Sequence, residues 1–191
     1  MKLSKEVWAQ IALHDKQAYS ELYLYFYPNL FNYGKKFTTD TALVEDAVQE
    51  TLLTIWDKRT SLNEIRSPET YYYNAFKYLL FDRIKRKDRL TPVDGEIENF
   101  EFTIDEQIIQ KEQGTHHTKQ LKTALSTLTP RQREAIFLRF YAQLSYEEVA
   151  EIMEITPKAT YKIMSRALLQ LKEKFVFLLV ILAAICLYIE L

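Results

Sequence analysis

The chain has 191 residues, of which 48% are hydrophobic and 27% are charged, a composition typical of folded globular domains. Three glycines disfavour a β fold with many tight turns, and one cysteine excludes a disulfide framework and a cysteine-cluster zinc site. The net charge of −1 comes from 25 basic and 26 acidic residues. The sequence contains neither a glycine-rich phosphate loop nor a His-Glu-x-x-His motif, so we predict no catalytic residues, no cofactor and no metal site.

Apolar spacing and helix-capping residues predict an all-α fold. In chain order, we predict helices near 4–13, 16–37, 41–58, 68–87, 105–126, 130–141, 146–153 and 157–189. Helix starts are indicated by three Ser/Thr-Pro pairs, which are Ser67-Pro68, Thr129-Pro130 and Thr156-Pro157. Two capping boxes are predicted, one from Thr129 to Gln132 and one from Ser145 to Glu148. Pro28 lies inside the second helix and is expected to break it, because proline removes a backbone donor.

Charge segregation predicts two helical domains and a linker. Residues 82–91 hold five basic and two acidic side chains, and residues 156–174 hold five basic and one acidic. Between them, residues 94–112 hold seven acidic side chains and one lysine. We therefore predict an N-terminal domain (1–87), an acidic linker (88–104), a C-terminal domain (105–174) and an apolar tail (175–191). Two basic patches suggest two modules that touch one polyanion, although solvated helix faces can carry similar charge.

The strongest local signal is a helix-turn-helix motif in residues 145–166. A short capped helix with the small Ala150 is followed by a tight connection and a second, basic helix. The second helix of such a motif enters the major groove of DNA. The candidate contacts on this recognition helix are Lys158, Ala159, Tyr161, Lys162, Ser165 and Arg166. The alternative is an ordinary helical hairpin in a bundle.

A second signal is the tyrosine-rich basic segment 71–87. Phe76, Leu80 and Ile84 predict a buried face. Another face carries aromatic rings among cations, a combination that suits unstacked bases of a single strand. The alternative is a tyrosine-rich core helix with a basic end that reaches solvent.

Four stretches together resemble the extracytoplasmic-function group of bacterial sigma factors in the sigma-70 family. They are DKQAYSELYLYFYPNLFNYGKKF (15–37), VEDAVQETLLTIWDKR (44–59), DRIKRK (82–87) and LTPRQREAIFLRFYAQLSYEEVAEIMEITPKATYKIMSRALLQLK (128–172). The resemblance implies a dissociable subunit of RNA polymerase that selects promoters. The N-terminal domain would melt the −10 element and capture its non-template strand, and the helix-turn-helix would read the −35 element.

The resemblance also implies roles for individual residues. The polymerase-binding surface would comprise Asp46, Gln49 and Glu50. The strand-capturing residues would be Asn74, Lys77, Tyr78, Arg83, Lys85 and Arg86. This chain has Tyr78 where the family often has asparagine, and Glu154 where the family usually has glycine between the two helices of the reading motif. If Glu154 adopts a left-handed backbone, the cost to a non-glycine residue is about 1 kcal/mol.

The expected partners are core RNA polymerase and promoter DNA, with an anti-sigma factor as a further candidate. The charged N-terminus lacks the apolar run of a signal peptide, so we expect a cytoplasmic protein. Residues 175–189 are fifteen uncharged residues that either associate with a membrane or pack against protein. The alternative function is therefore a membrane-tethered helix-turn-helix regulator that acts without the polymerase clamp, for which the N-terminal surfaces would have no use.

Overall fold

A computed structural model of the chain describes residues 5–60, 67–88, 100–101 and 123–189. The helices in chain order are α1 (Lys5–Ala12), α2 (Lys16–Gly34), α3 (Thr41–Asp57), α4 (Pro68–Asp88), α5 (Pro130–Ile136), a π-helical turn (Phe137–Tyr141), α6 (Tyr146–Ile152) and α7 (Pro157–Ile189). No strand occurs in these ranges, and the predicted all-α fold is confirmed. Most of the predicted linker and residues 105–122 of the predicted fifth helix lie outside the described residues.

The helices begin where the capping residues predict. Both capping boxes are present, because the Thr129 and Ser145 side chains accept from the backbone N–H groups of Gln132 and Glu148, whose own side chains bond back. At the start of α7, the backbone N–H of Ala159 donates to the hydroxyl oxygen of Thr156 at 3.2 Å. These bonds satisfy first-turn donors that have no partner within the helix.

The expected break at Pro28 is wrong, because α2 continues through this residue. A proline inside a helix leaves carbonyls of the preceding turn without their usual donors. Here the side-chain amide of Asn29 donates to the carbonyl oxygen of Tyr25 at 2.7 Å. The acceptor that loses its donor at Pro28 is the carbonyl of Leu24, four residues earlier, so the Asn29 bond does not replace the missing one. Burial of Phe26 and Leu30 on either side of Pro28 holds α2 against the core.

The N-terminal half packs α2, α3 and α4 around one aromatic core. At Gly34, a β carbon would lie 2.6 Å from Cγ1 of Val44 and 2.7 Å from Cζ of Phe76. Glycine is therefore required at the point where the three helices meet. At the other end of α4, the ammonium of Lys87 donates to Asp40, the N-cap residue of α3, at 2.6 Å. This bond lowers the pKa of the Asp40 carboxyl.

The C-terminal half contains the predicted helix-turn-helix. Helix α6 packs against α7, and the turn between them places Glu154 at a φ of 55°. The left-handed backbone expected at this position is confirmed. The turn is closed by the backbone N–H of Ile155, which donates to the carbonyl oxygen of Ala150 at 2.9 Å.

The two halves contact each other through buried side chains. Tyr33 of α2 stacks on Phe137 of the π-helical turn with ring centroids 5.7 Å apart. Phe100 is buried beside both rings, and the guanidinium of Arg133 donates to its carbonyl oxygen at 2.9 Å. Helix α4 also packs against α6. The described part of the acidic segment therefore inserts an aromatic anchor between the halves.

Helix α7 continues to Ile189, as the sequence predicts, so the reading motif and the apolar tail share one helix. The side chains of the tail lie outside the described set. Among the residues that the structure describes, no helix has both the length and the apolarity needed to cross a membrane.

Candidate nucleic-acid and polymerase interfaces

A groove of about 530 Å³ runs along α4 and brings together four of the six predicted strand-capturing residues. These are Asn74, Lys77, Tyr78 and Lys85. Tyr78 is 75% exposed, so its ring is available to stack on a planar group. The opposite wall of the groove is supplied by α6 and the turn after it, through Glu151 and Glu154.

Lys77 lies at the inner end of this groove and is only 18% exposed. Its ammonium donates to Oε1 of Glu134 at 3.1 Å and to the carbonyl oxygen of Ile152 at 3.3 Å. Both acceptors belong to the C-terminal half. The groove therefore contains one cation that is engaged with protein and one, Lys85, that is exposed.

The two remaining candidates of this set point to other partners. Arg83 contacts Glu50 through a short hydrogen bond and lies 3.6 Å from Asp46. Arg86 pairs with Asp82 one turn earlier on α4 at 2.8 Å. The structure thus places Arg83 against α3, at the predicted polymerase-binding surface. Arg86 is exposed and does not line the groove, but its partner Asp82 does.

The tyrosines of α4 divide between the two interpretations that the sequence left open. Tyr72 and Tyr73 are buried, and burial raises the pKa of both phenols. Tyr72 stacks on Phe26 with ring centroids 4.2 Å apart. These two rings are core residues, whereas Tyr78 lies on the groove face.

The predicted polymerase-binding residues Asp46, Gln49 and Glu50 are all exposed on one side of α3. Leu53, which was not predicted, is 61% exposed and follows Gln49 and Glu50 by one helical turn. Its position outside the buried stripe formed by Val48, Leu52 and Ile55 was the available signal.

The recognition helix presents five of its six candidates to solvent, and Ala159 is half-buried. Tyr161 is 51% exposed and stacks on Tyr146 of α6 with ring centroids 4.2 Å apart. The guanidinium of Arg139 lies 5.1 Å from the Tyr146 ring centroid. This cation–aromatic stack packs the Tyr161 ring against α6 while about half of the side chain stays exposed. Tyr146 and Arg139 were not predicted, because their partners lie in other elements.

Two family models match the chain, and together they span both interfaces. "Sigma-70 region 2" matches residues 22–90, which include α3 and α4. "Sigma-70, region 4" matches residues 118–171, which include the helix-turn-helix.

In the part of the chain that the structure describes, no three His, Cys, Asp or Glu side chains form a group that could hold a metal ion.

Relatives of known sequence and structure agree with these matches. The RNA polymerase sigma factor YlaC of Bacillus subtilis is 24% identical over 163 residues, covering 84% of this chain and 94% of its own. The sigma factor RpoE of Bartonella quintana, solved with the anti-sigma factor NepR, is 25% identical with a TM-score of 0.59 and coverage of 84% and 98%. CnrH, solved with the cytosolic domain of CnrY, is 18% identical with a TM-score of 0.55 and coverage of 87% and 93%, and supports the fold.

The N-terminal match decides between the two functions that the sequence left open. A membrane-tethered regulator that acts without the clamp has no use for region 2, and that alternative is not supported. The paired region 2 and region 4 matches and the full-length relatives place the chain in the extracytoplasmic-function group of the sigma-70 family, the subunits that bind core RNA polymerase and direct it to promoters.

Proposed function

We propose that the two halves divide promoter recognition between the α4 groove and the recognition helix. The observation that carries this assignment is the exposed Tyr78 ring, which lies in one groove with Asn74 and Lys85. An aromatic ring beside an amide and a cation matches an unpaired nucleotide, because the base stacks, the amide hydrogen-bonds and the cation meets phosphate.

At the −10 element, the role of α4 is to bind the strand after melting. Tyr78 stacks on a flipped base, and Lys85 attracts the backbone of the same strand. Asn74 donates to or accepts from a base edge one helical turn from Tyr78. Because the family often has asparagine where this chain has Tyr78, we infer a base preference that rests more on stacking than on hydrogen bonding.

At the −35 element, the exposed side of α7 lies in the major groove. Lys158, Lys162 and Arg166 follow one another at four-residue spacing, so their cationic ends share one face that can meet phosphates and guanine edges. Ser165 extends the polar contacts, and Ala159 and the ring of Tyr161 are suited to apolar contact with thymine methyl groups.

The α3 surface is the proposed polymerase contact. Asp46, Gln49 and Glu50 would face the clamp helices, with Leu53 adding an apolar contact. Arg83 binds the two carboxylates and thereby links the polymerase surface to the strand-capturing helix. Arg86 would contribute to backbone attraction from the exposed side of α4.

We further propose that the protein works in the cytoplasm, catalyses no reaction of its own and binds an anti-sigma factor. Support for an anti-sigma partner comes from RpoE, which was solved in complex with NepR. The acidic segment, which would follow the polymerase's path for nascent RNA, lies mostly outside the described residues.

The test is reconstitution with purified core RNA polymerase. Promoters are first selected from a random DNA pool with the reconstituted enzyme and then transcribed with and without this chain. We expect initiation at a common sequence only when the chain is present. Glu50→Lys should weaken polymerase association, whereas Glu21→Lys, which changes an exposed charge on α2, should not. Equal initiation by core polymerase alone would overturn the proposal.

A further inference from the structure

A stack of three side chains connects the π-helical turn to the recognition helix. Tyr161 of α7 stacks on Tyr146 of α6 with ring centroids 4.2 Å apart and ring planes 21° from parallel. The guanidinium of Arg139, in the π-helical turn, lies 5.1 Å from the centroid of the same Tyr146 ring. Such a contact is attractive because the face of an aromatic ring carries partial negative charge. A side chain of the recognition helix is therefore held by two residues that lie outside this helix.

Arg139 is itself held in place by the backbone. Its guanidinium donates to the carbonyl oxygen of Leu144 at 2.8 Å, and Leu144 is buried just before the N-cap of α6. The backbone N–H of Leu144 donates to the carbonyl oxygen of Leu138 at 3.1 Å. The π-helical turn ends with the wider bond of this helix type, in which the N–H of Ala142 donates to the carbonyl oxygen of Phe137 at 3.1 Å. The segment between the π-helical turn and α6 is therefore a well-defined support for the guanidinium.

The Tyr161 ring belongs to the exposed side of α7 that we assign to the major groove. The side chain is 51% exposed, and the exposed residues Lys158 and Ser165 lie three residues before it and four residues after it on the same side of the helix. A side chain that is already held in one orientation loses less conformational entropy on binding than one that rotates freely. The stack therefore prepares Tyr161 for a contact of defined geometry.

An apolar ring in the major groove has one matching group on the base edges. Lysine and arginine contacts to phosphate carry no sequence information, and most groups on the base edges are hydrogen-bond donors or acceptors. The exception is the C5 methyl group of thymine, which the other three bases lack. Packing of ring carbons against this methyl group removes apolar surface from water. The chemistry of the Tyr161 ring therefore favours thymine.

We propose that Arg139 and Tyr146 are positioning residues for promoter reading, which hold the Tyr161 ring where it packs against the methyl group of a thymine in the −35 element. This inference rests on the proposed function, because it assigns the exposed side of α7 to the major groove. Neither positioning residue touches the base. Part of the base preference is therefore set outside the recognition helix, by the π-helical turn and the first turn of α6.

The experiment removes one methyl group at a time from the DNA. Core RNA polymerase is reconstituted with the full chain, and a promoter is taken from the selection out of a random pool. Each thymine of the −35 element is replaced in turn by deoxyuridine, which pairs in the same way and lacks only the C5 methyl group. The measured quantity is the ratio of the dissociation constants for the deoxyuridine and thymine promoters. The wild-type chain should give a ratio of about four at one position, the factor expected for one buried methyl group.

Variants of the stack should lower this ratio by defined amounts. Tyr161→Ala removes the ring and should bring the ratio to about one. Arg139→Gln removes the charge over Tyr146 but keeps an amide donor for the carbonyl of Leu144, and should lower the ratio to about two. Arg139→Lys keeps a cation and should restore most of the ratio. The matched control Arg131→Gln makes the same change at an exposed arginine of α5 and should keep the wild-type ratio.

The ratio separates positioning from general support of the fold. Both dissociation constants are measured with the same protein, so a loss of folded protein weakens both and cancels. The positioning role would be overturned by an unchanged ratio for Arg139→Gln, or by a lowered ratio that Arg139→Lys does not restore. A promoter with no sensitive thymine would overturn the methyl contact. Failure of the proposed function is a separate result, since it would show as a lack of promoter-selective initiation by the wild-type reconstituted enzyme.

Discussion

Glu154 holds the turn of the reading motif in a backbone conformation that costs free energy. Its φ of 55° lies in the left-handed region, where a β carbon crowds the backbone. Glu154→Gly should therefore raise the free energy of unfolding by about 1 kcal/mol. Urea denaturation followed by circular dichroism measures this. A matched substitution, Glu147→Gly in the first turn of α6, should destabilise instead, because it removes a carboxylate that interacts favourably with the helix N-terminus and adds backbone entropy to the unfolded chain. Destabilisation by Glu154→Gly would mean that the carboxylate side chain stabilises the turn.

The salt dependence of promoter binding tests Lys162. This exposed lysine lies in the second turn of α7, where a phosphate contact would release about one counterion on binding. Lys162→Ala should weaken binding to a −35 duplex and reduce the slope of log K against log salt by about one. Lys172→Ala removes a lysine ten residues further along the same helix, about 15 Å away, and should leave the slope unchanged. Equal slopes for Lys162→Ala and wild type would exclude Lys162 from the DNA interface.

At the scale of helices, local sequence signals predict most of the structure. The capping boxes at Thr129 and Ser145 and the Thr156-Pro157 pair fix three helix starts, because each depends on residues within one turn. The prediction of a break at Pro28 failed because burial of Phe26 and Leu30 on either side of it outweighs the loss of one backbone donor. The π-helical turn at Phe137–Tyr141 has no local signal that the sequence analysis recognised.

The meeting point of three helices makes a prediction about packing. Gly34→Ala would gain helix propensity of about 1 kcal/mol, but its new methyl group would lie within 2.7 Å of both Val44 and Phe76. Overpacking costs about 1–3 kcal/mol, so we expect net destabilisation, measured as a lower urea midpoint. Glu21→Ala on the exposed face of α2 is the control and should shift stability by less than about 0.5 kcal/mol. A stabilised Gly34→Ala variant would show that α3 and α4 can move apart.

At the scale of the whole molecule, the contact between the halves was beyond sequence reasoning. Tyr33 and Glu134 are 101 residues apart, and Lys77 and Glu134 are 57 residues apart. Helical periodicity identifies which face of an element is buried but not which distant element covers it. The sequence predicts six residues for strand capture without distinguishing among them. Only the structure shows that Arg83 and Arg86 do not line the groove that the other four share.

Tyr78 is the residue that we expect to capture a melted base in the polymerase complex. The direct measurement is permanganate reactivity of the melted region, with reconstituted enzyme on a promoter selected from a random pool. Losing one base stack costs about 1–3 kcal/mol, and only melted DNA offers that stack. Tyr78→Ala should therefore reduce reactivity while affinity for duplex DNA stays near wild type, and Tyr78→Phe, which keeps the ring, should retain most of the reactivity. Wild-type reactivity in the Tyr78→Ala enzyme would contradict the account.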